Sequence, residues 1–137
     1  MSKIKISKEQ AYKEVIEFLE LHCVDTDVED MLEDDAKEFD SIVKSIAKPI
    51  TTGRAIIDGD DYVLTLIKPV GDVDKVKCTP PDAGAMFAMD KAKKGNEMAK
   101  VGQMIASVTN VPFAQVSKFK AQDFMVLSKL TNLFITV

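Results

Sequence analysis

The sequence predicts an α+β fold, mostly helical, with a small antiparallel β-meander (about 54–78) between an N-terminal helical pair and a C-terminal bundle of three to four helices. Three observations predict it. Apolar residues recur at helical spacing up to about Ala47. The period changes to two between Arg54 and Cys78, where Asp58-Gly59 and Gly71-Asp72 mark turns. Helical spacing returns after Pro80-Pro81 and is broken at Gly95 and at Asn110 to Pro112.

Ser7-Lys8-Glu9-Gln10 has the form of a capping box. Behind it Ala11, Val15, Phe18 and His22 share a face, which predicts a first helix ending near Cys23. Asp25, Thr26 and Asp27 signal a second start, followed by Val28, Met31, Leu32, Ala36, Phe39, Ile42, Val43 and Ile46. Pro49 should stop that helix near Ala47, because it disfavours helical geometry at Lys48.

Arg54 to Ile57, Tyr62 to Ile67 and Val73 to Cys78 read as strands, the second ended by Pro69. Tyr62, Leu64 and Leu66 alternate with Val63, Thr65 and Ile67, so one face is apolar and needs helices over it. Thr79 is a candidate N-cap, with Pro80 at the first helical position and Asp82 in the first turn. That helix should reach about Lys94, with Lys91, Lys93 and Lys94 in its last turn, and stop at Gly95. Asn96 caps a further helix burying Met98, Val101, Met104, Ile105 and Val108. A short helix spans Pro112 to Ser117. A last one, about Ala121 to Phe134, turns Phe124, Leu127, Leu130 and Phe134 inward.

With 137 residues, 46% of them apolar, the chain can bury the core of a single domain, 1–137. Its N-terminal part, 1–50, carries 13 acids and 7 lysines, a net charge of −6, and 51–137 is +2. An overall charge of −4 gives little support to generic nucleic-acid binding. No apolar run is long enough for a membrane span, MSKIKISKEQ is not a secretory signal, and two distant cysteines, Cys23 and Cys78, fit a reducing compartment as partly buried thiols.

Catalytic chemistry finds little footing. The one histidine, His22, reads as a half-buried helix-end residue. No nucleophile elbow, P-loop, dinucleotide fingerprint or paired-cysteine motif occurs. Asp58 to Asp61 lacks the ligand spacing of a calcium loop and suits a hairpin turn better. Glu33-Asp34-Asp35 reads as a solvated face, since adjacent helical carboxylates diverge. Asp90 has no visible partner beyond Lys93 or Lys94, so it reads as structural. No catalytic, cofactor-binding or metal-binding residue is assigned. Five of the seven methionines (Met86, Met89, Met98, Met104, Met125) lie in the last helices and their neighbours. Most suit the core, although methionine also serves surfaces that accept apolar segments of other proteins.

From Tyr62 onward the order of signals resembles the tail assembly chaperones of Mu-like and P2-like phages and of prophages with contractile tails. The stretches that carry the resemblance are Pro81-Asp82-Ala83-Gly84-Ala85-Met86-Phe87-Ala88-Met89-Asp90 and Ile105-Ala106-Ser107-Val108-Thr109-Asn110-Val111-Pro112. Val116, Phe119, Gln122-Asp123-Phe124-Met125-Val126-Leu127 and Leu133-Phe134 complete the pattern. Ala85 departs from it where an acid is frequent, and Asn110 replaces a glycine while tolerating the same left-handed backbone. Residues 1–50 fall outside it. The resemblance implies a non-enzymatic protein of the host cytoplasm. Its partner is the long helical tape measure protein, kept soluble during tail assembly, and self-association is expected. Met86, Met89 and Phe124 are the candidate client-contacting residues, and each also suits an interior position.

Two other readings remain. The last three helices loosely imitate a helix-turn-helix with Lys118 and Lys120 beside the short helix, but the last helix adds only Lys129. A small enzyme built on Asp90 or the acidic cluster lacks a convergent set of reacting groups.

Overall fold

The structure, a computed structural model, describes residues 6–92 and 95–135. Helix α1 (Lys8–Leu21) starts at Ser7, whose side chain accepts from the Gln10 amide at 3.0 Å. The Gln10 side chain does not close the box. It reaches forward to Glu14. Asp27 starts only a 3-10 turn (Val28–Asp30), because its carboxylate takes the Glu29 amide and Met31 is extended. Helix α2 (Glu33–Thr51) therefore begins later than Asp27 predicts, at Leu32, which offers no side-chain cap. Glu33, Asp34 and Asp35 complement the positive helix end instead.

Helix α2 runs through Pro49 to Thr51, beyond the predicted stop. The apolar stripe continues, since Val43, Ile46, Ala47, Pro49 and Ile50 are all buried, and that burial outweighs the lost amide. The carbonyls of the last turn find other donors. Thr51 Oγ1 bonds Lys48 O at 2.6 Å, Thr52 Oγ1 bonds Pro49 O at 3.1 Å, and the Arg54 amide bonds Pro49 O at 3.0 Å.

Three strands form an antiparallel sheet in the order β1 (Ala55–Asp58), β2 (Asp61–Val70), β3 (Val73–Cys78). Asp58 pairs with Asp61 and Val70 with Val73, so each hairpin has a two-residue Gly-Asp loop. Gly59 and Gly71 have φ of 61° and 57°, at the first loop position where a type II′ turn requires glycine. Strand β2 passes through Pro69 because the β2–β3 register shifts between Thr65 and Val70, and a bulge tolerates a residue without an amide.

Tyr62, Leu64, Leu66, Val76 and Cys78 are buried on one face of the sheet. Against them pack Val15, Phe18 and Leu19 of α1, Val43 and Ile46 of α2, and residues of the C-terminal helices. The Tyr62 hydroxyl donates to Ile46 O at 2.7 Å beneath this layer. Thr79 is not an N-cap. Its amide and hydroxyl both bond Val108 O, which ties the end of β3 to helix α4 (Glu97–Thr109). Asp82 caps helix α3 (Ala83–Ala88), which passes into a 3-10 turn (Met89–Lys91) well short of Lys94. Lys93 and Lys94, the expected basic end and the expected partners of Asp90, lie outside the described residues.

Asn96 caps α4 as expected, accepting from the Ala99 amide. Asn110 ends it in the left-handed region at φ 55° and ψ 40°. Helices α5 (Phe113–Val116) and α6 (Ala121–Ile135) follow, and α6 places Leu127 and Leu130 in the core.

Candidate interaction site

Helix α3 is short, and only Ala85 on it is buried. Met89, four residues on, is half-buried against the core. Those two residues define the inner side, so Met86 and Phe87 turn outward, and Phe87 is 71% exposed. Behind them α4 presents Gln103, Ala106, Ser107 and Asn110, which recur at helical spacing on one side. The left-handed turn at Asn110 then brings Pro112 and Phe113 back along α4. The Phe113 ring lies against Gly102, where an added Cβ would fall 2.7 Å from Cε2.

These elements enclose an open groove of about 590 Å³. Gly84, Ala88, Ala106 and Ser107 line it with small side chains, and Phe87 and Phe113 line it with rings. Among the described residues, no charged one lines it. A surface of this kind excludes water from an apolar insertion without desolvating a charge. Sequence reasoning missed both phenylalanines. Phe87 is hidden in a run of small residues, and Phe113 depends on the turn that precedes it.

The candidate residues fall in different places. Met86 is exposed beside Phe87. Met89 lines a separate cleft of about 270 Å³ with Val101, Met104 and Ile135. Phe124 is partly buried against the core at the start of α6. The C-terminal methionines are not mainly interior, contrary to the expectation that most suit the core. Among the five C-terminal ones only Met104 is in the core, while Met86, Met98 and Met125 are exposed. Met98 is 62% exposed because it sits in the first turn of α4, ahead of the buried run from Gly102.

Other groups with chemical potential are occupied locally or stand apart. His22 is half-buried, with Nε2 2.9 Å from Asp60 O and its ring edge-on to Phe18 and Phe134. Asp90 is exposed in the 3-10 turn. Glu33 pairs with Lys37. Cys78 is fully buried, and burial pushes its thiol up to about 12. Cys23 is exposed, not partly buried, at φ 63° just past α1. Between α1 and α2 the Tyr12 hydroxyl donates to Asp40 at 2.8 Å, and Lys44 bonds the same carboxylate at 2.8 Å. The Lys44 and Tyr12 hydrogen bonds hold the Asp40 carboxyl below the usual range. Lys118 and Lys120 are exposed, whereas Lys129 donates to Ser45 of α2 at 3.2 Å.

Among the described residues no group of three or more His, Cys, Asp or Glu side chains is placed to hold a metal ion, and no helix is long and apolar enough to cross a membrane. No protein-family model, characterised protein or solved structure matches the chain.

Proposed function

We propose that the chain is a non-enzymatic tail assembly chaperone of phage or prophage type, which holds a long helical tape measure protein in solution in the host cytoplasm. The observation that carries this reading is the groove between α3, α4 and α5, which has Phe87 and Phe113 on it and no charged lining among the described residues. An amphipathic client helix would lay large apolar side chains over Gly84, Ala88, Ala106 and Ser107, where small residues permit close approach. Burying the exposed Phe87 contributes up to about 1.5–3 kcal/mol, and Phe113, only 37% exposed, contributes less. A few such contacts hold a client reversibly, as a protein that must later release it requires. Met86 adds pliable apolar surface at the rim, and the acids of 1–50 keep the loaded complex soluble.

The test is co-expression with a long helical tape measure protein followed by size-exclusion chromatography. The two chains should co-elute, and Phe87→Asp should abolish co-elution while leaving the melting temperature nearly unchanged. Separate elution of the wild-type chains, or co-elution that survives Phe87→Asp, rejects the reading.

A further inference from the structure

We propose that copies of this chain associate head to tail, the acidic turn before α2 of one copy seating on the open face of the sheet in the next. The helices cover the Tyr62, Leu64 and Leu66 side of the sheet. The opposite side carries Ile56, Val63 and Ile67, with Lys77 across from Val63 and Lys75 across from Thr65. Ile56 and Ile67 stay about half exposed, at 53% and 48%. The Ile67 amide donates to Asp123 Oδ2 at 2.7 Å, which brings the start of α6 alongside, and with it Lys120. Lys68, Lys75 and Lys120 are exposed and form no ion pair among the described residues. This end of the face is apolar with a basic border. Asp58 and Asp61 sit at the β1–β2 hairpin end of the face, where Asp61 already lies 4.0 Å from Lys77. At the other end Asp72 is in the β2–β3 loop, and Asp74, next to Lys75, alternates to the opposite side of the sheet.

The occupant is set by charge. The contact of His22 with Asp60 O gathers the end of α1 and the hairpin at the far end of the molecule. From there the chain runs through seven carboxylates between Asp25 and Asp35 with no lysine or arginine among them. Within that run Val28 and Leu32 stand out from the surface, Leu32 at 76% exposure. An apolar tip ringed by acids complements an apolar patch bordered by lysines. Pairing two acidic ends or two basic ends would place like charges together, so the complementary contact joins unlike ends. Such a contact is heterologous and builds a ring or an open filament according to the rotation between copies. It uses no residue of the groove, so it stands apart from client binding.

Sedimentation velocity on the full chain tests this. Association should rise with protein concentration and weaken at least about tenfold as salt rises from about 0.05 to about 0.5 M. A chain with Lys68→Glu, Lys75→Glu and Lys120→Glu should be monomeric, and so should one with Glu29→Lys, Asp30→Lys and Asp34→Lys. All six positions are exposed and make no side-chain hydrogen bond or ion pair among the described residues, so circular dichroism should show both variants folded. Mixing the two variants should restore association, because the unchanged acidic turn of the first meets the unchanged lysine-bordered face of the second. A wild-type chain that stays monomeric at low salt and high concentration overturns the proposal. So does association that either folded variant retains, and in that case loss of association in Phe87→Asp would assign it to the groove.

Discussion

The Asp123 carboxylate on α6 accepts one hydrogen bond from the Arg54 guanidinium, between α2 and β1, and another from the Ile67 amide of β2, and it is 1% exposed. Arg54 also donates to Thr65 O at 3.1 Å. One buried charge thereby joins both halves of the chain. Arg54→Ala strands that carboxylate without its countercharge and should cost about 3–5 kcal/mol. Asp123→Ala leaves an arginine that can turn to water, so its loss should be smaller. The double variant should lose less than the sum of the two. Urea unfolding of all four proteins checks the order.

Gly102 tests whether the groove can be altered without damage to the fold. Alanine there gains about 1 kcal/mol of helix propensity. It also drives into the Phe113 ring, which is partly exposed and can rotate outward. Thermal melting of Gly102→Ala should stay within about 4 °C of wild type. Binding of a helical client should fall at least about fivefold, which is about 1 kcal/mol. A much larger melting shift would mean that the ring is locked in place.

Serine substitutions separate the three candidate contact residues. Met86→Ser should change stability by less than about 0.5 kcal/mol, since Met86 is exposed. Phe124→Ser should cost about 2–3 kcal/mol and Met89→Ser about 1–2 kcal/mol, because both are partly buried against the core. Chemical denaturation of the three variants measures the difference.

The two thiols should react at different rates. Cys23 is exposed, whereas Cys78 is buried and raised to about 12. At neutral pH less than about one part in ten thousand of Cys78 is thiolate. Iodoacetamide should label one site in the native protein, and the second label should appear only at the rate of unfolding. Mass spectrometry of timed samples reads both.

The chain has two tyrosines and no tryptophan, so phenolate absorbance is a clean probe. Burial, then the Asp40 hydrogen bond and charge, raises Tyr12 to about 12. Burial raises Tyr62 further. Both phenols favour the folded state while they stay neutral. That stability is fully present below the ordinary tyrosine value of about 10 and is lost as pH climbs through the folded values. A titration should show almost no phenolate near pH 10.5, then a cooperative rise with loss of helical circular dichroism. Replacing Asp40 with Asn should bring the Tyr12 ionisation to lower pH.

The architecture was legible where a local rule and the apolar pattern agreed, as at Ser7, Asn96, Asn110 and Gly71-Asp72; the signal for the first turn, Asp58-Gly59, falls one residue early, whereas Asp58 pairs with Asp61 and the loop is Gly59-Asp60. It was not legible where packing overrode the local rule. Pro49 and Pro69 look like stops, yet buried neighbours carry the helix past one and a bulge absorbs the other. The groove was hidden for a different reason. Helical spacing places Met98 with Val101 and Ile105, but which residues stay uncovered depends on where α3 and α5 lie. The partnership of Arg54 with Asp123 spans 69 positions and leaves no periodic trace.

That helix α6 closes the structure has a consequence during synthesis. The N-terminal helices and the meander leave the ribosome before the residues that seal them. Until α6 is in place, the amide of Ile67 lacks the Asp123 carboxylate, the guanidinium of Arg54 keeps only Thr65 O, and the faces of α2 and α4 that α6 covers stay wet. Before α6 docks, the apolar faces that it seals are thus open to non-native contacts.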